Sequence, residues 1–353
     1  MKKQLTTIAG LVLVALFTLN ACTSQQENQK TSGNDIKMVL DLDTGIDDAL
    51  ALAYAIADPN VELLGVTGTF GNVVLEQGIK NTLELLQVLG KPEIPVFAGA
   101  SHSLSDTEDY QTDSLIRYIH GNNGIGDVVL PAAEAKVQEE DAVDFLIRMA
   151  DTYGKELTVV AVGPLTNVAK AMEKDPSFVD KVGEIVVMGG AVTVPGNTTK
   201  FAEANIYNDP VAANQVLKSK AHVTLVGLDV TYRTVITEKE TAEWRSLGVP
   251  AATALADIAD YCINICKDLE PELGGCPLND PLAAVVAVDP SLVTTFDLNI
   301  NVGTGADDYG RTSGDKARLL DEHPNVSVCI DVDHERFNHH FSDVLYRFFQ
   351  TMK

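Results

Sequence analysis

The stretch that most constrains this chain is Met38-Val39-Leu40-Asp41-Leu42-Asp43-Thr44-Gly45-Ile46-Asp47-Asp48-Ala49-Leu50, in which an apolar run ends in four carboxylates within eight residues and an Ala/Leu-rich segment follows at once. That order reads as a buried strand, a tight loop and a helix. Four like charges so close repel one another, so a folded chain keeps them together only where a cation neutralises them or the loop splays them into water. Carboxylates without neighbouring Cys or His suit a hard cation such as Ca²⁺ or Mg²⁺ rather than zinc. The plain alternative is a solvated acidic turn that caps the helix, with Asp47 and Asp48 favoured by the helix dipole. An EF-hand loop does not fit, because the places of its glycine and its closing glutamate are taken by Ile46 and Leu52.

Before this stretch, Lys2 and Lys3 precede an apolar segment at residues 8–19, and Leu19-Asn20-Ala21-Cys22 reads as a bacterial lipobox. The apolar core is too short to span a bilayer. Residues 1–21 are therefore expected to be a lipoprotein signal peptide, and Cys22 the site of lipidation. Residues 22–36 are polar apart from Cys22 and Ile36 and are expected to form a lipidated tether, leaving 37–353 as one folded domain. The expected location is the bacterial cell envelope, outside the cytoplasm, with contact to a membrane through the Cys22 lipid only.

The formal net charge is −24, and removing residues 1–21 takes away two lysines and no acid. Such a balance argues against binding nucleic acid or anionic lipid through the folded body and favours a neutral or cationic small molecule. Beyond Cys22 the cysteines are Cys262, Cys266, Cys276 and Cys329. Cys262 and Cys266 share one face of a helix with no His to complete a zinc pattern, so they read as buried thiols, with one disulfide, to Cys276, left open in an exported protein.

Apolar runs and amphipathic segments alternate through the remainder. Strands are expected at 38–41, 62–68, 96–98, 157–162, 184–188 and 223–228, and helices at 49–57, 75–89, 141–153, 167–174 and 210–219. This rhythm predicts an α/β fold, a single domain with a mostly parallel central sheet flanked by helices. In such sheets ligands sit beyond the carboxyl ends of the strands.

Several of those ends carry unusual polar groups: Gly71-Asn72, Gly163-Pro164-Leu165-Thr166-Asn167, Met188-Gly189-Gly190, Ala202-Glu203-Ala204-Asn205 and Asn279-Asp280-Pro281. Each alone reads as a turn or an N-cap. Asp41-Leu42-Asp43 after a strand also looks like the nucleophile loop of haloacid-dehalogenase-type phosphatases, but Gly45 stands where that family has Thr or Val.

Taken together and in order, these motifs resemble the inosine-uridine nucleoside hydrolases, a family with a Rossmann-like fold, over nearly the whole of 37–353. The resemblance implies a Ca²⁺ held by Asp43, Asp48, Asp280 and the backbone carbonyl of Val162, with Asp41 beside it. It implies that Asp47, Asn72, Asn197, Glu203 and Asn205 hold the ribose hydroxyls, and that a Ca²⁺-bound water activated by Asp43 hydrolyses the N-glycosidic bond of a ribonucleoside to free base and ribose. It also implies a homo-oligomer. The chemistry asks for such residues: carboxylates stabilise an oxocarbenium-like sugar, and a cation lowers the pKa of the attacking water.

On the base side the family often has His just before the metal-binding Asp of the late motif, and this chain has Asn279, which supplies no proton at neutral pH. His120, in Ile119-His120-Gly121-Asn122-Asn123-Gly124, is the remaining catalytic candidate, on a Gly-rich segment suited to a lid. Glu270 and Glu272 are candidates for a second rim, and Tyr232 and Tyr261 for base contacts. A second expectation follows from Asn279: a non-catalytic nucleoside- or ribose-binding lipoprotein on the same fold.

Overall fold

The computed structural model describes residues 36–353; Cys22, the leader and the tether up to residue 35 lie outside the described residues. Ile36, expected at the end of the tether, is the first residue of β1 (Ile36–Leu42), whose backbone pairs in parallel on both sides. The other strands are β2 (Val61–Gly68), β3 (Val96–Ala98), β4 (Leu157–Ala161), β5 (Glu184–Met188), β6 (Val223–Val226), β7 (Val235–Ile236), β8 (Cys276–Pro277), β9 (Val293–Leu298), β10 (Ile300–Val302), β11 (Thr312–Gly314) and β12 (Val326–Val332). Eight of them form one sheet in the order β3-β2-β1-β4-β5-β6-β12-β9, parallel except for the β9 edge.

Helices cover both faces: α1 (Ile46–Ala57), α2 (Leu75–Val88), α3 (Ser114–His120), α4 (Ala142–Tyr153), α5 (Thr166–Lys174), α6 (Phe178–Lys181), α7 (Ala204–Asn208), α8 (Pro210–Leu217), α9 (Leu228–Thr231), α10 (Glu238–Ser246), α11 (Pro250–Leu269), α12 (Asn279–Val288) and α13 (His334–Thr351). The strand period of two sorts side chains between the layers. Met38, Leu40 and Leu42 of β1 pack with α1, α11, α12 and α13, whereas Val39 joins α4, α5 and α8 on the opposite face. Both faces being covered, the central strands are continuous apolar runs, and each fully buried Leu or Val contributes about 2 kcal/mol of burial.

Two differences from the sequence reading bear on the site. Helix α1 begins at Ile46, so Asp47 and Asp48 lie inside its first turn rather than in a loop before it. The strand expected to run to 228 stops at Val226, because Gly227 caps α9 and the Asp229 carboxylate accepts the amides of Val192 (3.0 Å) and Thr193 (2.6 Å). The open question at the cysteines closes on a Cys262–Cys276 disulfide, with Cys266 and Cys329 as free thiols among the described residues. Among the described residues no helix is long and apolar enough to cross a membrane.

Candidate active site

Strand β1, third of the eight in the sheet, carries Asp41 to the carboxyl edge, in register with Thr67 and Ala161. Its Oδ1 accepts the Thr67 hydroxyl at 2.5 Å and the Asn167 amide at 2.8 Å, while Oδ2 is buried without a partner. Burial pushes this carboxyl up to about 6, against the two hydrogen bonds.

Asp43 follows the strand. Its Oδ2 accepts the Asn72 amide N–H at 2.7 Å, and its buried Oδ1 has no partner. Two glycines make room for it: a Cβ on Gly71 would stand 2.0 Å from Oδ2, and one on Gly163 would stand 3.0 Å from Oδ1. Both motif glycines are thus explained by close approach to one carboxylate.

Asp48 reaches back from the first turn of α1, accepting the backbone N–H of Gly45 (2.8 Å) and of Asp43 (3.1 Å) and the Asn72 side-chain amide (3.0 Å). Asp280 occupies the first turn of α12, a helix packed against α1. Carboxylate oxygens of Asp47, Asp48 and Asp280 all lie within 4.8 Å of one another. Burial, then the charge of Asp48, holds Asp43 well above the usual carboxylate range; burial, then Asp47, does the same for Asp280 and raises Asp48 to about 7.

These residues fit a hard divalent cation. The donors are all oxygens, Asp43 Oδ1 and Asp280 Oδ2 are buried and unpartnered, and among the described residues the charged groups that act on Asp43 and Asp280 are other carboxylates. The grouping brings in Asp47, which the resemblance assigned to ribose, with Asp43 beside it in contact with Asp48. The Val162 carbonyl, expected among the ligands, accepts the Asn205 side-chain amide at 2.7 Å.

Of the groups assigned to ribose, Asn197, Glu203 and Asn205 follow β5, Asn72 follows β2 and Asp47 lies in α1. Glu203 is buried and caps α7, accepting the N–H groups of Gly190 (3.0 Å), Asn205 (2.8 Å) and Ile206 (3.1 Å); burial outweighs these bonds and raises its pKa. Asn205 sits beside it, buried, and spans Val162 and Met188. Asn197 is exposed and accepts the Ala204 N–H at 3.0 Å. Asn72, half-buried, bridges Asp43 and Asp48.

On the base side, α3 delivers His120, whose buried Nδ1 has no partner and lies 2.7 Å from where a Cβ on Gly45 would stand. Burial lowers the His120 pKa, against the nearby Asp47. The Asn279 amide donates to Asp47 Oδ2 at 3.3 Å, and its Oδ1 is buried and unpartnered. Tyr261 donates to the Tyr118 carbonyl at 3.1 Å, bracing α3 on α11. Burial, then Glu270 and Glu203, raises the pKa of Tyr232, which places that ring among the acids of the site. Glu270, at the end of α11, is itself raised by burial and by Glu272.

Sequence reasoning missed Asn81. From a buried position on α2 it donates to the Thr44 carbonyl (3.1 Å) and the Asn123 carbonyl (2.8 Å), tying the acidic loop to the segment that follows His120. The available signal was an amide on the apolar face of an amphipathic helix. Thr67, which holds Asp41 together with Asn167 of the Gly163–Asn167 motif, carried no signal separable from an ordinary strand residue.

A family model for inosine-uridine preferring nucleoside hydrolases matches residues 38–339. The chain is 37% identical over 276 residues to uridine nucleosidase 1 of Arabidopsis thaliana, covering 77% of this chain and 80% of that protein. It is 35% identical over 303 residues to a pyrimidine-specific ribonucleoside hydrolase of Shigella boydii, covering 86% and 96%. A solved purine-preferring ribonucleoside hydrolase from Gardnerella vaginalis superposes with a TM-score of 0.88 at 46% identity, covering 89% of this chain and 99% of that one. With the fold, the ordered motifs and the acidic cluster in agreement, the chain belongs to the inosine-uridine preferring nucleoside hydrolase family and is an N-glycosyl hydrolase.

Proposed function

We propose that this protein hydrolyses ribonucleosides to free base and ribose in a Ca²⁺-dependent reaction at the carboxyl edge of β1, β4 and β5. The observation that carries this reading is the Asp47, Asp48 and Asp280 cluster beside the unpartnered Asp43 Oδ1. Asp43, Asp48, Asp280 and the Val162 carbonyl would hold the ion, with Asp47 close enough to join them. When bound, Ca²⁺ supplies positive charge that acidifies water and orients ribose hydroxyls.

Asp43 takes the proton of the attacking water. Asp47, Asn72, Asn197, Glu203 and Asn205 bind the ribose hydroxyls. A deoxyribose leaves the buried members of this set, Glu203 and Asn205, short of a partner, so ribonucleosides are favoured. As the glycosidic bond lengthens, the surrounding carboxylates stabilise the positive charge that develops on the sugar. The departing base meets a neutral His120 and the Asn279 amide, which donate hydrogen bonds rather than a full proton. The named relatives include purine-preferring and pyrimidine-specific enzymes, and both base classes are offered here as substrates.

The experiment is release of base and reducing sugar from inosine, adenosine, uridine and cytidine by the chain lacking its leader, with and without Ca²⁺ chelation. Calcium-dependent release is expected. Tight nucleoside binding with no release at any Ca²⁺ concentration would leave only the binding-protein reading that Asn279 suggests.

The leader motif supports lipidation at Cys22 and a place in the bacterial envelope, where the enzyme would serve nucleoside salvage. Membrane-fraction recovery lost in Cys22→Ala tests the anchor, and hydrolysis by whole cells that appears only after lysis would refute surface salvage. A homo-oligomer is proposed from the family resemblance, with light scattering as its check.

A further inference from the structure

Three sulfurs meet where α11 passes the strand that enters α12. Cys262 is bonded to Cys276 with their Cα atoms 5.5 Å apart, and the free thiol of Cys266 stands with its Sγ 3.8 Å from Cys262 Sγ. Residues four apart on an α-helix project from one face with Cα atoms about 6 Å apart, inside the roughly 4.4–6.8 Å a disulfide spans, while their Cβ atoms, about 5–6 Å apart, must close to about 3.5–4.5 Å. Cys266 lies in the last turn of α11, where loosening of that turn lets it replace Cys276 as the partner of Cys262. A thiol held against a disulfide sulfur needs no diffusional encounter, so its ionisation and line of attack set the rate.

We propose that Cys262, Cys266 and Cys276 form a thiol–disulfide exchange site in which Cys266 attacks Cys262 and releases Cys276. The electron pair of the Cys266 thiolate forms the new Cys262–Cys266 bond, and the Cys262–Cys276 bond breaks. Cys276 departs as a thiolate and takes up the proton that Cys266 lost. One disulfide and one thiol exist before and after, so no oxidant or reductant is consumed.

The position gives the exchange its consequence. Cys276 lies in β8, and the chain runs from it through Leu278 into Asn279 and Asp280. The disulfide is the covalent tie between α11 and that entry. After exchange the segment keeps the β7 pairing and the Leu278 N–H to Thr234 carbonyl bond of 2.8 Å, and loses the tie. The groups facing Cys266 are Glu270 at the end of its own helix, Asp47 from α1, and Tyr232 from the turn after α9. Burial first, then Glu270 and Asp47, push this thiol up to about 11, so exchange is slow at neutral pH and quickens about tenfold per pH unit below that value.

The chain itself supplies the assay, because trypsin cuts after Arg245, Lys267 and Arg311, placing Cys262 and Cys266 in one peptide and Cys276 in the next. The full-length protein is incubated at stepped alkaline pH, quenched in acid, blocked with N-ethylmaleimide in denaturant and digested without reductant. Expected at neutral pH are the two peptides cross-linked, with Cys266 blocked. Expected with rising pH is the loss of that cross-link at a rate growing about tenfold per unit, with an internal disulfide in peptide 246–267 and Cys276 blocked. Cys266→Ser should abolish the change. Persistence of the cross-link at every pH where circular dichroism reports a folded chain would overturn the proposal, as would equal release of Cys276 in Cys266→Ser. The peptide map is read without nucleoside, so it stands or falls apart from the hydrolase assay.

Discussion

The side-chain amide of Asn279 donates to the Asp47 carboxylate at 3.3 Å, so the position proposed to face the departing base holds an uncharged donor that is itself fastened to the acidic cluster. With no strong acid there, bond cleavage depends steeply on how readily the base leaves. A 4-nitrophenyl riboside is expected to react at least 100-fold faster in kcat/KM than uridine, a difference of about 2.7 kcal/mol in barrier. Asn279→His should narrow that gap by speeding uridine alone; equal rates on both substrates in the natural chain would show that a proton donor is present after all.

Replacing Asp43 by Asn removes the proposed base while keeping its shape. A fall in kcat of about 10²–10⁴-fold is expected with little change in fold, since Asp43 sits among like charges whose repulsion the change relieves. Thermal melting in chelator should be unchanged or higher for Asp43→Asn, and a lower melting temperature would mean the carboxylate is chiefly structural.

Calcium should stabilise the protein as well as activate it. An ion that binds only the folded chain adds about 2.7 kcal/mol at a hundred times its dissociation constant. Calorimetry with Ca²⁺, Mg²⁺ and chelator is expected to rank melting temperatures in that order, because a crowded carboxylate site suits the larger, less strongly hydrated ion. No shift with either ion would argue for the solvated acidic turn.

Far from the site, Asp58 supplies an acid-sensitive clamp between α1 and α13. Its Oδ2 accepts the Tyr54 hydroxyl at 2.7 Å and stands 3.5 Å from His340 Nε2, while Oδ1 accepts the Asn60 N–H at 2.8 Å. Burial alone would raise the Asp58 pKa, but the bonds to His340, Tyr54 and Asn60 outweigh it and lower it from 3.8 to about 2. A folded-state pKa below the unfolded one stabilises above the unfolded value, here by about 2 kcal/mol, and this is lost as pH falls from 3.8 through about 2. Asp58→Asn should therefore lower stability at neutral pH and flatten the acid limb below pH 4; parallel acid limbs in the two proteins would contradict the assignment.

How much of this was legible beforehand depended on whether chemistry wrote itself into neighbouring residues. Strands buried on both faces leave uninterrupted apolar runs such as Val159 and Val160 of β4, and the helices between them were readable to within a few residues. Asp43 and Asp48 were readable because four acids in one short stretch have few stable outcomes. Asn81 was not, since its work is to join Thr44 to Asn123, and a bridge between segments 37 and 42 residues away leaves no local pattern. The Cys262–Cys276 pair lay between these cases: helical spacing grouped Cys262 with Cys266 and favoured buried thiols, and the disulfide to Cys276 stood only as an open alternative because the bonded partner comes from another element.

The interior place of β1 in the sheet has a mechanical consequence. Its first residue, Ile36, and its last, Leu42, lie at opposite ends of a strand about 20 Å long, flanked along that length by β2 and β4. A pull applied through the chain before Ile36 loads both ladders in shear, many hydrogen bonds at once, rather than peeling them singly. Force entering at the amino end is spread into the sheet before it reaches Asp41 and Asp43, so a chain tugged at its start keeps its carboxylates in place.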